Sequence, residues 1–293
     1  RAVREKQVAL NLADTWDHVD LYGLAYLQND SAAMQRETDW CKGKSDEYIL
    51  LRTMAARAAS AGKLRAAREL YRQAMESAKR AGSGGAAKGM AVNLSLMETL
   101  AGNPGSMSRE ELVSNAVGAE GPMIAAAHIF ALTGDSGRAA GIAEELASRS
   151  HTATYVNKVW VPTLRAEIEI SRNNPARAIE LLQSTSTYEL GWKAQYWPTF
   201  VRGLAYLGSG SGSGRAAAAE FQKVLGHRGV TLAGQLSPLI YSLSQLELAR
   251  AQAMSGDTAG ARSSYEKFFS LWKDADPDVP VLLQAKAEYA RLQ

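Results

Sequence analysis

The stretch Ser60–Ala81, "SAGKLRAARELYRQAMESAKRA", holds a helix stop and a helix restart. Glycine enters the left-handed conformation without steric cost, so "SAG" reads as the end of one helix. Beyond Lys63, the residues Ala67, Leu70, Tyr71, Ala74, Met75 and Ala78 fall three and four apart. That spacing puts them on one face of a second helix. Two helices that turn at Gly62 form a hairpin with one apolar seam.

The same punctuation recurs along the chain. It stands in "LQNDSAA" at Asn29, "LAGNPGS" at Gly102, "LTGDSGRAA" at Gly134, "SRNNPARA" at Asn173, "LGSGSGSG" near Gly210 and "SGDTAGA" at Gly256. After the last of these, Ala261, Tyr265, Phe268, Phe269 and Trp272 make a second clear stripe. Asp135 or Ser136, and Asp257 or Thr258, are placed to cap the helix that follows. A helical hairpin that returns every ~30–45 residues, with almost no strand signal, predicts an all-α solenoid of about seven hairpins. Ala67, Ala139, Ala178 and Ala261 each lie five residues past a stop, where a small side chain lets paired helices approach. Met107 and Arg215 break that rule, so the third and sixth hairpins are expected to have altered turns. The run Gly208–Gly214, "GSGSGSG", reads as a lengthened turn, because helix resumes in phase at "AAAAEFQKVL". Its alternative reading is a flexible hinge between subdomains.

The whole chain, 1–293, is read as one array; a subdivision, if there is one, falls near 186–194. Pro277 and Pro280 break the chain in "DADPDVP". A last helix over 280–293 carries Val281, Ala285, Tyr289 and Leu292 on one face and is expected to cap the final hairpin.

Composition sets limits on function. The 293 residues are 46% hydrophobic and 22% charged, with a formal net charge of only +3. That balance gives no case for a nucleic-acid surface. No apolar run approaches a membrane span, so no membrane insertion by this segment is expected. The single cysteine, Cys41, allows no intrachain disulfide; it suits a reducing compartment without excluding an oxidising one. The first residue is Arg1 rather than Met, which reads as a fragment or a processed product. On that ground an extracytoplasmic place, periplasmic or secreted, is favoured slightly over a cytoplasmic one.

Immediately after the opening stretch comes "AGSGGAAKGM", Ala81–Met90, which invites a phosphate-loop reading. Gly82 and Lys88 have the right separation. But Ala87 stands where a second glycine is needed, and Gly89 replaces the hydroxyl that would reach magnesium. The preceding segment is helical where a strand is required. The expectation is a helix–helix connector, and no cofactor. His18, His128, His151 and His227 lie far apart without ligand spacing, so no metal is expected. No nucleophile motif is present, and Cys41 lacks a local signature. The sequons at Asn29 and Asn93 are of a kind that arises often by chance.

The combination of a glycine-type stop with alanine and an aromatic four residues later, as in Ala67 with Tyr71 and Ala261 with Tyr265, resembles tetratricopeptide repeats. The resemblance spans nearly the whole chain, with about half the hairpins matching well. "YELGW", "RGLAYL", "AAEFQKVLGHRG" and "LWKDADPDVPVLLQAKAEYARLQ" further resemble the C-terminal repeat region of bacterial eukaryotic-like serine/threonine kinases and membrane-tethered winged-helix regulators, especially those of acidobacteria. The resemblance implies a right-handed α-solenoid that binds proteins. It does not carry kinase activity over, because the chain has no H-R-D, D-F-G or β3-lysine motif.

In such an architecture the first helix of each hairpin lines a concave groove. One subclass grips peptide C-termini with basic and amide side chains from successive first helices. Arg52 and Asn93 fall at suitable positions. Ala56 replaces a second asparagine, and Ile124 and Ala125 stand where basic residues would follow, so the clamp is incomplete. Later first helices supply Trp160, Trp197 and Phe200, with Trp192 and Tyr196 nearby, as protein-binding anchors or as packing between hairpins. The sequence thus predicts a non-catalytic scaffold or sensor region that binds a peptide or protein. The alternative is a structural subunit that assembles with itself end to end.

Overall fold

The computed structural model describes residues 2–10, 12–191, 193–233 and 239–292. Within them the chain is all-helical, with no strand. The helices are α1 (Ala2–Ala9), α2 (Thr15–Gln28), α3 (Ser31–Cys41), α4 (Glu47–Ser60), α5 (Leu64–Arg80), α6 (Gly84–Leu100), α7 (Arg109–Ala116), α8 (Glu120–Leu132) and α9 (Ser136–Arg149). They continue as α10 (Val161–Ser171), α11 (Pro175–Leu182), α12 (Trp197–Gly208), α13 (Gly214–Leu225), α14 (Arg228–Ala233), α15 (Leu239–Met254), α16 (Thr258–Leu271) and α17 (Pro280–Ala290). Each helix packs chiefly on its neighbours in the chain. The pairs are α2 with α3, α4 with α5, α6 with α7, α8 with α9, α10 with α11, α12 with α13 and α15 with α16. The first helices of successive pairs also touch, as α6 does α8 and α8 does α10.

The stops explain the pairing. All seven residues marked by the sequence, Asn29, Gly62, Gly102, Gly134, Asn173, Gly210 and Gly256, have φ between +56° and +92°. At six of them the next residue's N–H returns to a carbonyl five residues back, such as Lys63 to Ala58 at 3.0 Å and Asp135 to Phe130 at 2.8 Å. This ends the helix with its last carbonyls satisfied. Asp30, Asp135 and Asp257 then accept the N–H of Ala33, Arg138 and Gly260 and start the return helix. Ala67, Ala139, Ala178 and Ala261 are buried at the seams.

The two irregular hairpins differ as their sequences require. In the third, residues 101–108 form a longer loop, and α7 uses Leu112 and Ala116 as its buried contacts. In the sixth, Ser211–Ser213 make a single 3₁₀ turn, and α12 and α13 pack directly. The glycine-serine run is therefore a turn. Across 186–194, α11 and α12 also remain in contact; Trp192 lies outside the described residues.

One feature of the architecture is not written in any local pattern. The end of the chain returns to its first third. Ser242 Oγ and Trp272 Nε1 both donate to the Ser60 carbonyl, at 2.6 and 3.1 Å. Asp276 N–H donates to Gly62 O at 3.0 Å, and Val281 N–H to Ala101 O at 3.3 Å. Gly62 and Gly102 serve twice: a Cβ at Gly62 would lie 2.6 Å from Ala275 Cβ, and one at Gly102 2.9 Å from Pro280 Cβ. Helix α17 also covers the last pair, with Tyr289 edge-on to Tyr265 and Glu288 bonded to Arg250 and Tyr265. On α17, Leu282 and Ala285 are the buried residues, while Val281 and Tyr289, and Leu292 just beyond the helix, are partly covered.

Candidate functional site

Helices α4, α6 and α8 leave a cavity of about 330 Å³ between them. Arg52 enters from α4, Asn93 and Met90 from α6, and Glu120, Pro122 and Ile124 from α8. Tyr155, Trp160, Lys193 and Gln195 close the far side. Space exists because the first turns of α6 carry Gly85, Ala86 and Gly89 toward it. A Cβ on Gly89 would lie 2.9 Å from Pro122 Cγ. The glycine-rich stretch that imitates a phosphate loop is thus the hollow side of a helix. What precedes it is α5, not a strand.

The polar groups of the cavity are unequally satisfied. Glu120 is held on both oxygens, by Ser150 Oγ at 2.6 Å and by the Tyr155 hydroxyl. Lys193 Nζ sits 5.1 Å above the Tyr155 ring. Asn93 is 8% exposed, and its Oδ1 has no hydrogen-bond partner. Arg52 has no carboxylate within ion-pair distance among the described residues; its guanidinium lies 6.0 Å from the Trp16 ring. Burial lowers the Arg52 pKa, with Tyr71 and Tyr48 opposing the shift. A buried amide oxygen without a partner costs about 1–3 kcal/mol. A ligand that supplies a donor would remove that cost, and an anionic group on it would pair with the half-buried Arg52.

The wall behind Trp160 is a packed network of rings and hydrogen bonds. Residues Val156–Trp160 form a π-helical turn that runs into α10, and such turns recur at functional sites because they re-aim a side chain. Trp160 meets Trp197 edge-on at 6.3 Å. Trp197 Nε1 donates to Glu167 Oε1 at 2.8 Å, and Glu167 Oε2 lies 2.5 Å from His128 Nδ1. Opposite, Gln195 and Tyr196 both have left-handed backbones, φ +51° and +60°. Non-glycine residues hold that conformation at a cost of about 1–3 kcal/mol each. Gln195 therefore lines the cavity on strained backbone.

Of the residues singled out by sequence, Arg52, Asn93 and Trp160 meet at this one cavity. Trp197 and Phe200 do not line it: Trp197 is 1% exposed within the Glu167 network, and Phe200 is 4% exposed against Phe221. Both are interior packing residues. Glu120, Tyr155, Lys193 and Gln195 escaped the sequence reading. Lys193 and Gln195 fall in "GWKAQYW", where the helical pattern lapses, but Glu120 and Tyr155 carry no local signal.

Elsewhere, Cys41 is fully buried, and burial with nearby Asp46 and Glu37 pushes its thiol up to about 11, which makes it unreactive. No helix among the described residues is long and apolar enough to cross a membrane. Comparison with protein-family models and with curated proteins gave no match to this chain.

Proposed function

We propose that this chain is a non-catalytic, tetratricopeptide-like right-handed α-solenoid that holds an extended peptide or protein segment, anchored in the Arg52–Asn93 cavity. The observation that carries the reading is the pair of unmatched groups facing one space. An asparagine amide offers a donor and an acceptor together, which is the pattern a peptide group requires. Arg52 adds a site for an acidic side chain or a terminal carboxylate, and Trp160 offers an apolar wall. Self-assembly end to end is the weaker reading. The returning C-terminal segment already covers the turns after α4 and α6 and leaves less free edge for such contacts.

The test is selection from a random peptide library, followed by fluorescence anisotropy on the winners. Losing a hydrogen bond to a charged group costs about 1.5–3 kcal/mol, or roughly 10–150-fold in affinity. Arg52→Ala and Asn93→Ala should each weaken binding by at least tenfold, while Lys267→Ala on α16 should not. Winners that bind both cavity variants as tightly as the parent would refute the assignment.

A further inference from the structure

A second place in the molecule carries uncompensated positive charge, away from the cavity. Arg57 on α4 is 7% exposed, and its Nε and Nη1 have no hydrogen-bond partner. Arg228 opens α14, and its Nε is also buried and unpartnered. Among the described residues no carboxylate pairs with either. Aromatic faces are their nearest company: Arg57 lies 5.5 Å from the Tyr26 ring and Arg228 5.9 Å from the Tyr241 ring. Burial pulls the Arg57 pKa down to about 10, and Arg228 lowers it further against Tyr26 and Tyr22.

Arg57 and Tyr26 belong to the first third of the chain, Arg228 and Tyr241 to the last. Their helices meet, α14 packing on α2 and α15 on α4, and Arg228 lies near enough for its charge to act on Arg57. Two like charges on opposite sides of a closing seam oppose the closure that Ser242, Trp272 and Asp276 hold together. A protein rarely leaves a buried guanidinium such as Arg57 without counter-charge, the more so with the half-buried Arg228 acting on it across the seam, unless something else provides it.

We propose that Arg57 and Arg228 bind a doubly charged oxyanion, a phosphate or sulfate group, which joins the two ends of the chain across the seam. Charge selects the class. Two guanidinium groups are matched by a group carrying about −1.5 to −2, as phosphate does near neutral pH, and only half-matched by a carboxylate. The planar guanidinium also suits that class, since it offers paired N–H donors to adjacent oxyanion oxygens.

The experiment is thermal unfolding of the full chain in chloride, phosphate, sulfate, acetate and phenyl phosphate at matched ionic strength. Phosphate and sulfate should raise Tm saturably, by about 5 °C at a hundredfold excess over Kd, and acetate by much less. Arg57→Met and Arg228→Met should each lower the apparent affinity at least tenfold; Arg57→Lys should keep part of it. Sulfate and phosphate also stabilise proteins in general by exclusion from their surface, but that effect would be equal in the double variant. Tighter binding of phenyl phosphate assigns the group to a larger ligand, and equal binding assigns it to the free anion; either supports the site. Equal shifts in the parent and the double variant would overturn it. If the variants fail to fold by circular dichroism, phosphorus NMR on the parent decides: a phosphate line that the protein does not broaden sinks the proposal.

Discussion

Arg57 and Arg202 are buried to the same degree, each 7% exposed, yet their surroundings are opposite. Arg202 Nη2 reaches Glu189 at 2.5 Å and Glu220 at 2.6 Å, and Nη1 donates to the Leu182 carbonyl at 3.3 Å. Burial alone would depress its pKa, but the bonds to Glu220 and Glu189 outweigh it and hold the group above its ordinary range. Arg57 has no such acceptors, and burial wins. The difference separates an arginine that fastens α12 to its neighbours from one that awaits a partner outside the chain. Burial by itself does not distinguish the two; the acceptors around the guanidinium do.

Removing each cation in turn separates the two arginines. Arg202→Met leaves Glu189 and Glu220 buried and facing each other without a counter-charge. It should cost about 3–5 kcal/mol, read as a lower urea midpoint at unchanged slope. A loss below about 1 kcal/mol would mean that the two carboxylates find protons or water instead, and the contrast would collapse.

Arg250 is an intermediate case, with Glu247 at 2.6 Å and Glu288 of α17 at 3.0 Å. Glu288→Gln removes one of its two partners and weakens the hold of α17 on the last pair. A loss of about 1–2 kcal/mol is expected, because Glu247 remains and the site is partly open to water. No change in the urea midpoint would show that apolar contacts through Leu282 and Ala285 seat α17 alone.

Arg57→Met should have the smallest effect and the opposite sign. In buffer without phosphate or sulfate, stability should stay within about 0.5 kcal/mol of the parent or rise, since an unpaired buried charge becomes an apolar side chain of similar length. A loss as large as that of Arg202→Met would show that Arg57 has a structural acceptor.

Asn93 belongs with Arg57 in this division, and Thr163 with Arg202. Thr163 is fully buried but bonds its own helix, through the Val159 carbonyl at 2.6 Å. Asn93 is also buried on its helix, but its Oδ1 has no hydrogen-bond partner. Both read as polar residues on helices in the sequence, and nothing local tells them apart.

What the sequence determined is the part of the fold that depends on near neighbours. A left-handed stop is a property of one residue and its helix, so Asn29, Gly62, Gly102, Gly134, Asn173, Gly210 and Gly256 were legible. The seam alanines followed, because helical periodicity places them a fixed number of residues beyond each stop. Arg52, Asn93 and Trp160 were legible as residues of first helices. Tertiary structure alone decided that these three share a cavity with Lys193 and Gln195, that Trp197 and Phe200 turn inward, and that the last helices return to Ser60, Gly62 and Ala101. It also decided which buried arginine has carboxylates. These outcomes depend on how successive hairpins pack against one another along the whole chain, which no single turn's residues fix.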